Sequence, residues 1–315
     1  MKNPLDRLGL KGLVAMIAII ALVPFAFPSS YFYTIGASIF IAAFAAVGLG
    51  ILMGLAGQVS LGHAGFYAIG AYAVAIGPTY FAIPSWAGIL IGLVLAVVLA
   101  WFVGRPILKL KGHYLAVATL GFGILVAMAL NNEAQWTGGP DGMSVPRLVL
   151  FGFPFRGAKM WYWTSAIVLV VGVWLALNLL NSPTGRAMRA LHDSEIAASV
   201  NGIDTAHYKL LAFMVSAGYA SLAGAMASFS DGIVTPTVGG FIFSVELVTM
   251  VVLGGMGSVF GSVIGAVVLK ALPQVLTFLH DYEHMVLGLI MMLVMIFMRD
   301  GILPTIARAF KRRSA

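Results

Sequence analysis

The stretch 53-MGLAGQVSLGHAGFYAIGAY-72 puts five glycines, a Gln, a Ser and a His inside the most apolar part of a 315-residue chain. Glycine weakens helices, and polar side chains are costly in lipid. Gly54, Gly57 and Gly62 flank Gln58 and Ser60 where one apolar run ends and the next begins. Irregular backbone at membrane depth survives only inside protein or beside a water-filled cavity. Ser60 is placed to cap a helix starting at Leu61, and His63 and Tyr67, one turn apart, would share a face. Two readings stay open. The stretch is either a plain turn before a capped helix, or a broken-helix element lining a transport path through Gly57, Gln58, Ser60, His63 and Tyr67.

The surrounding sequence decides the solvent. With 61% hydrophobic and 9% charged residues, the chain carries more apolar surface than a soluble core could bury. Many windows supply the roughly 17 to 25 apolar residues that cross about 30 Å of hydrocarbon as a helix. None alternates as barrel strands do. The expected fold is therefore all-α: a polytopic membrane bundle with glycine-rich breaks, forming one transmembrane domain over 1–315. The absence of cysteine excludes disulfides, zinc–thiolate sites and thiol catalysis.

Ten spans are expected, at about 12–27, 31–54, 64–82, 86–103, 113–130, 161–180, 208–229, 241–257, 259–279 and 284–298. The first follows a basic segment that resembles a signal peptide in outline but lacks a small-x-small cleavage site, so it reads as an uncleaved span. Threading the basic residues through this order puts fourteen Lys and Arg on one side and three, Arg147, Arg156 and Lys159, on the other. By the positive-inside rule both termini are cytoplasmic, as is the loop at about 181–207. The net charge of +7 thus reflects topology, and a nucleic-acid partner is not expected.

Small residues recur every four positions in two spans. Ala212, Ser216, Ala220, Gly224 and Ser228 form one stripe, and Gly257, Gly261 and Gly265 another. Such stripes let membrane helices approach closely, so they read as packing seams. Lys270, near the middle of a span, should face a cavity, a partner carboxylate or a second permease, whereas Glu246 reads as lying near an outer, wet end.

In the loop, Ser182 before Pro183 suits a helix start, Asp193 could cap a second short helix, and Asn201 and Gly202 would end it. Asp204 could cap the span that follows. The short helix, with Ala197 and Ala198 as a smooth face, suits either docking in another protein's groove or lying on headgroups. Its residues "EIAASVNG" match the Glu-x-Ala-Ala-x-x-x-Gly core by which ABC-importer permeases contact their ATPases, with Glu195, Ala197, Ala198 and Gly202 in the matching places. With "GQVSLGHAGFYAIGAY", "WTGGPDG", "GRAMRALHDSEIAASVNGIDTAHYKLLAF" and "LGGMGSVFGSVIGA", the chain from about 45 to 300 resembles the LivM-type permeases of branched-chain amino acid ABC importers. The resemblance implies an inner-membrane transport subunit, not an enzyme. Its implied partners are a homologous second permease, two ATP-binding subunits coupled through the loop that carries Arg186 and Arg189, and a periplasmic or extracellular substrate-binding protein. The implied cargo is a small amino acid such as leucine, isoleucine or valine. Urea, short amides or other amino acids are the alternative cargo. ATP would be bound by the partners, since the chain has no P-loop, and no cofactor is expected.

Rival constellations are weaker. "HDYEH" at 280–284 formally fits a zinc-protease pattern but falls in an expected outer turn with no third ligand, so no metal site is expected. Ser60 and His63 lack a nucleophile elbow, and no catalytic residue is assigned. A proton-coupled secondary transporter would carry a fuller chain of intramembrane acids.

Overall fold

The computed structural model describes residues 9–150 and 152–275, together with positions 288, 292, 301, 302 and 305. The tenth expected span, the His280–His284 motif and most of the terminal basic residues lie outside them.

The described chain is helical apart from short turns and strand pairs. Its helices are α1 (Gly9–Ala26), α2 (Ser30–Ala56), α3 (His63–Phe81), α4 (Ser85–Ile107), α5 (His113–Asn132), α6 (Ala134–Thr137), α7 (Ala158–Asn181), α8 (Pro183–Asp193), α9 (Glu195–Val200), α10 (Thr205–Asp231), α11 (Phe241–Gly254) and α12 (Val259–Val275). Of these, α2, α4, α5, α7 and α10 are each long and apolar enough to cross a membrane. The fold is that of an all-α polytopic membrane protein.

The bundle is built around α2 and α10. The most apolar window of α2 is 83% buried and that of α10 67%, against 28% for α4 and 17% for α5, which turn their apolar faces outward. On α4, Gly88, Gly92, Ala96, Ala100 and Gly104 are buried while Leu90, Val94, Leu95, Val98 and Phe102 are exposed. This four-residue stripe lets α4 lie against α3 and α10, and it is a seam the sequence reading did not single out. The α10 stripe Ala212, Ser216, Ala220, Gly224 and Ser228 is buried throughout. A Cβ at Gly224 would overlap the Tyr67 carbonyl of α3, and one at Gly70 of α3 the Ser221 carbonyl of α10.

Backbone groups that helices cannot satisfy find partners elsewhere. Pro24 in α1 has no N–H for the Ile20 carbonyl, and the Tyr162 hydroxyl of α7 donates to that oxygen at 2.8 Å. At the end of α5, Thr137 Oγ1 donates to the Leu130 carbonyl at 2.6 Å, so the "TGGPDG" turn closes that helix.

The bundle has two ends. One carries α8 and α9 with the turns at 57–62 and 108–112. The other carries two small antiparallel pairings: β1 (Met143–Ser144) with β4 (Ile233–Val234), and β2 (Val149–Leu150) with β3 (Phe153–Pro154).

Three expectations are corrected. The span expected at 241–257 is a 14-residue helix that ends at Gly254, and α12, described from Val259 to Val275, leaves it at a bend of 120° across 255–258. At 1.5 Å per residue α11 is about 21 Å long, short of the hydrocarbon thickness. Gly257 belongs to that bend, with φ +91°, and not to a helical stripe. It packs against Gly54 of α2, while Gly261 and Gly265 form the seam between α12 and α11: a Cβ at Gly261 would lie 2.7 Å from the Gly254 carbonyl, and one at Gly265 would overlap that of Met250. Finally, α3 begins at His63, not Leu61, and Ser60 does not cap it.

Candidate functional site

Two polar features lie inside the bundle. The first is the linker between α2 and α3. Gly57 ends α2 with φ +64°, a left-handed conformation suited to glycine, and lies against His192 of α8. From there the chain climbs back into the protein. Gly62 packs on Thr119, about 9 Å along α5 from its start, and Leu61 N–H donates to Thr119 Oγ1 at 3.1 Å. Ala64 N–H, in the first turn of α3, donates to Ser244 Oγ of α11 at 3.1 Å. Two hydroxyls from other helices thus serve linker and helix-terminal donors. The linker is irregular backbone that is exposed at Gly57 and Val59 and buried at Ser60 and Gly62.

His63 is fully buried there. Its Nδ1 lies 3.1 Å from Ser60 Oγ and its Nε2 2.5 Å from Ser216 Oγ, whose hydroxyl lies 2.7 Å from the Gly48 carbonyl. This chain of contacts joins α2, α3 and α10 through the imidazole. Tyr67, one turn on, is 7% exposed, and its ring lies 4.7 Å from that of Phe243.

The second feature spans the bent pair. Lys270 Nζ of α12 lies 2.7 Å from Glu246 Oε1 of α11, and 5.9 Å from the Phe243 ring centre. Glu246, which the sequence leaves as a wet residue near an outer end, is thus paired across the bend, with its side chain 29% exposed. The partner of Lys270 is a carboxylate of its own chain.

The loop is folded as two capped helices. Ser182 Oγ accepts from Gly185 N–H at 3.1 Å, Ser194 Oγ from Ala197 N–H at 3.2 Å, and Asp204 Oδ1 from His207 N–H at 3.1 Å. Ser194, and not Asp193, caps α9, because α8 runs on through Asp193. Gly202, with φ +78°, and Asn201 end it. Arg186 and Arg189 donate to the Asn181 and Leu180 carbonyls, at 3.1 and 3.0 Å, serving the end of α7. Glu195 pairs with Lys209 of α10 at 2.7 Å, and the Lys209 side chain is only 5% exposed. The charge count takes Lys209 only as one of the fourteen basic residues on the cytoplasmic side. Its place near the start of α10, fourteen residues beyond a carboxylate on a separate short helix, gives no local signal of that pairing.

The face expected to dock is also different. Ala198 is buried against its own chain, whereas Ile196 and Val200, one turn apart, are 76% and 82% exposed, with Ala197 between them also exposed. Short α9 seats its small residue inward and shows an aliphatic face outward.

A cleft of about 340 Å³ opens beside this loop, lined by Gly57, Gln58, Lys111, His113, His192 and Glu195 among others. Gln58 Oε1 is buried and has no hydrogen-bond partner among the described residues. At the opposite end a second cleft, also about 340 Å³, gathers Arg147, Arg156, Trp161 and Asp231.

Helices long and apolar enough to cross a membrane, joined by irregular linkers and an interhelical ion pair, define a polytopic helical membrane protein. The family model described as branched-chain amino acid transport system / permease component matches residues 31–295, and the chain belongs to that family. It is 36% identical over 282 residues to the high-affinity branched-chain amino acid transport system permease protein LivM of Escherichia coli (strain K12), covering 82% of this chain and 66% of that one. It is 34% identical over 292 residues to LivM of Salmonella typhimurium, covering 85% and 69%. Similarity extends to LivH of Salmonella typhimurium, at 27% over 282 residues, 82% of this chain and 89% of that one. The chain thus spans about two thirds of the length of the LivM proteins. No solved structure gives a significant match.

Proposed function

We propose that this chain is the membrane-spanning permease subunit of an ATP-driven ABC importer carrying branched-chain amino acids across a bacterial inner membrane. It acts as one transmembrane domain paired with a homologous second permease. Two ATP-binding subunits bind the α8–α9 end, which is cytoplasmic together with both termini. A substrate-binding protein delivers the amino acid at the opposite end. ATP is held by the partners, and this chain contributes neither cofactor nor catalytic residue.

The observation that carries this reading is the construction of α9. It is capped at both ends, anchored through Ala198 and tied to the central helix α10 by the Glu195–Lys209 pair. Because the Lys209 end of that pair is buried while the Glu195 end rides on α9, a push on α9 reaches α10 instead of being absorbed by a loop. From α10 the displacement passes to α3 and α2, which meet it through glycine and serine contacts too close to slip. The transport path then runs past the α2–α3 linker and the bent pair, with Gly57, Gln58, Tyr67 and Lys270 along it and Ser60 and His63 holding the linker in place.

Affinity purification in mild detergent tests the assembly. Recovery of two ATPases and a second permease, with ATP-dependent leucine uptake after reconstitution, is the expected result. Uptake by this chain alone, driven by an ion gradient, would overturn the reading.

A further inference from the structure

Glu246 and Lys270 are the one ion pair among the described residues that joins the two arms of the bent pair. Their side chains are 29% and 30% exposed, so the pair is reachable from a space this chain does not close. Two residues at the start of α11, Phe241 and Ile242, are 48% and 81% exposed on the same short helix. The Phe243 ring centre lies 5.9 Å from Lys270 Nζ, and the Tyr67 ring packs behind Phe243.

We infer that Glu246 and Lys270 form an intramembrane binding site for a zwitterionic aliphatic amino acid, each charge exchanging its intramolecular partner for the opposite charge of the ligand. The chemistry is selective by charge balance. A charge left without a counter-charge within a membrane-spanning bundle is penalised. A carboxylate without an amine could replace Glu246 beside Lys270 but would leave Glu246 alone, and an amine would strand Lys270. A neutral amide such as urea satisfies neither charge fully. Only a ligand bearing both charges opens the pair with none left over, and the partly exposed Phe243 ring offers apolar surface to its side chain. The inference rests on the importer reading and names the site within it.

The test is equilibrium binding to the permease assembly purified with its ATPases but without binding protein, using radiolabelled leucine, 4-methylpentanoate and isoamylamine. The unaltered assembly should bind leucine at least tenfold more tightly than either singly charged analogue. Glu246→Gln should lose leucine at least tenfold and gain 4-methylpentanoate, because Lys270 is then unpaired; Lys270→Gln should shift in the same way towards the amine. Should a single substitution prevent assembly, the Glu246→Gln/Lys270→Gln double variant leaves neither charge unpaired and should still lose leucine affinity at least tenfold. Leucine affinity unchanged in these variants, with only thermal stability lowered, makes the pair a structural staple and overturns the inference. So does an absence of leucine binding in an assembly that imports leucine, a result that leaves the importer reading standing. Loss of the ATPases from the purified complex strikes that reading instead.

Discussion

His63 joins the sequence of the α2–α3 linker to the interior of the bundle. Its two ring nitrogens meet hydroxyls from different parts of the chain, and the second, Ser216, also contacts the Gly48 carbonyl. Removing one hydroxyl leaves a buried ring nitrogen and a buried carbonyl short of a partner, a loss of about 1–3 kcal/mol. Ser216→Ala is therefore expected to lower the thermal unfolding midpoint in detergent by several degrees. Ser38→Ala removes only an exposed bond to the Ile35 carbonyl and should leave the midpoint unchanged; equal shifts in the two would mean that the buried contacts contribute nothing. Ser60 shows why single residues were only partly legible. A serine two or three positions before a helix reads as a cap, yet its hydroxyl meets His63, a contact that depends on where the ring is held by α10.

At the scale of elements, glycine spacing carried much of the information. The α10 stripe and the Gly261–Gly265 seam are periodic in sequence, and so is the α4 stripe. What spacing does not reveal is the neighbour. A leucine at Gly265 must displace the Met250 backbone, whereas Gly121 of α5 has nothing within 4 Å. Gly265→Leu should sharply reduce the yield of assembled protein on size-exclusion chromatography, and Gly121→Leu should not; similar yields would place the α11–α12 seam elsewhere. For α9, Ala198 is buried, so its replacement by a large side chain would test the seating of the helix and not its docking. The exposed pair is the better probe. Ile196→Asp with Val200→Asp should leave the permease folded while reducing ATPase copurification and ATP-driven uptake at least tenfold, and unaltered copurification would show that α9 is not the docking face.

For the whole molecule, the decisive property is which end faces the cytoplasm. The chain has no cysteine, so single cysteines can be introduced without background. Val200→Cys, beside the loop cleft, should react with a membrane-impermeant thiol reagent only after permeabilisation, and Phe153→Cys, exposed on the β2–β3 turn, should react in intact cells. Reversed labelling would invert the proposed orientation and remove the ATPase interface.

Composition, charge bias and small-residue spacing are properties of the chain itself. By themselves they determined that it is a helical membrane protein, the ends of nearly every described long helix to within a few residues, and the presence of a capped loop helix. The bend between α11 and α12, the partial burial of the 57–62 linker, the inward seating of Ala198 and the Glu195–Lys209 and Glu246–Lys270 pairs were decided only by tertiary structure. A hydropathy window reports how apolar a segment is but not the direction in which it continues. An ion pair between separate helices likewise leaves no periodicity in either, because its energy comes from desolvation and proximity that exist only once the bundle has closed.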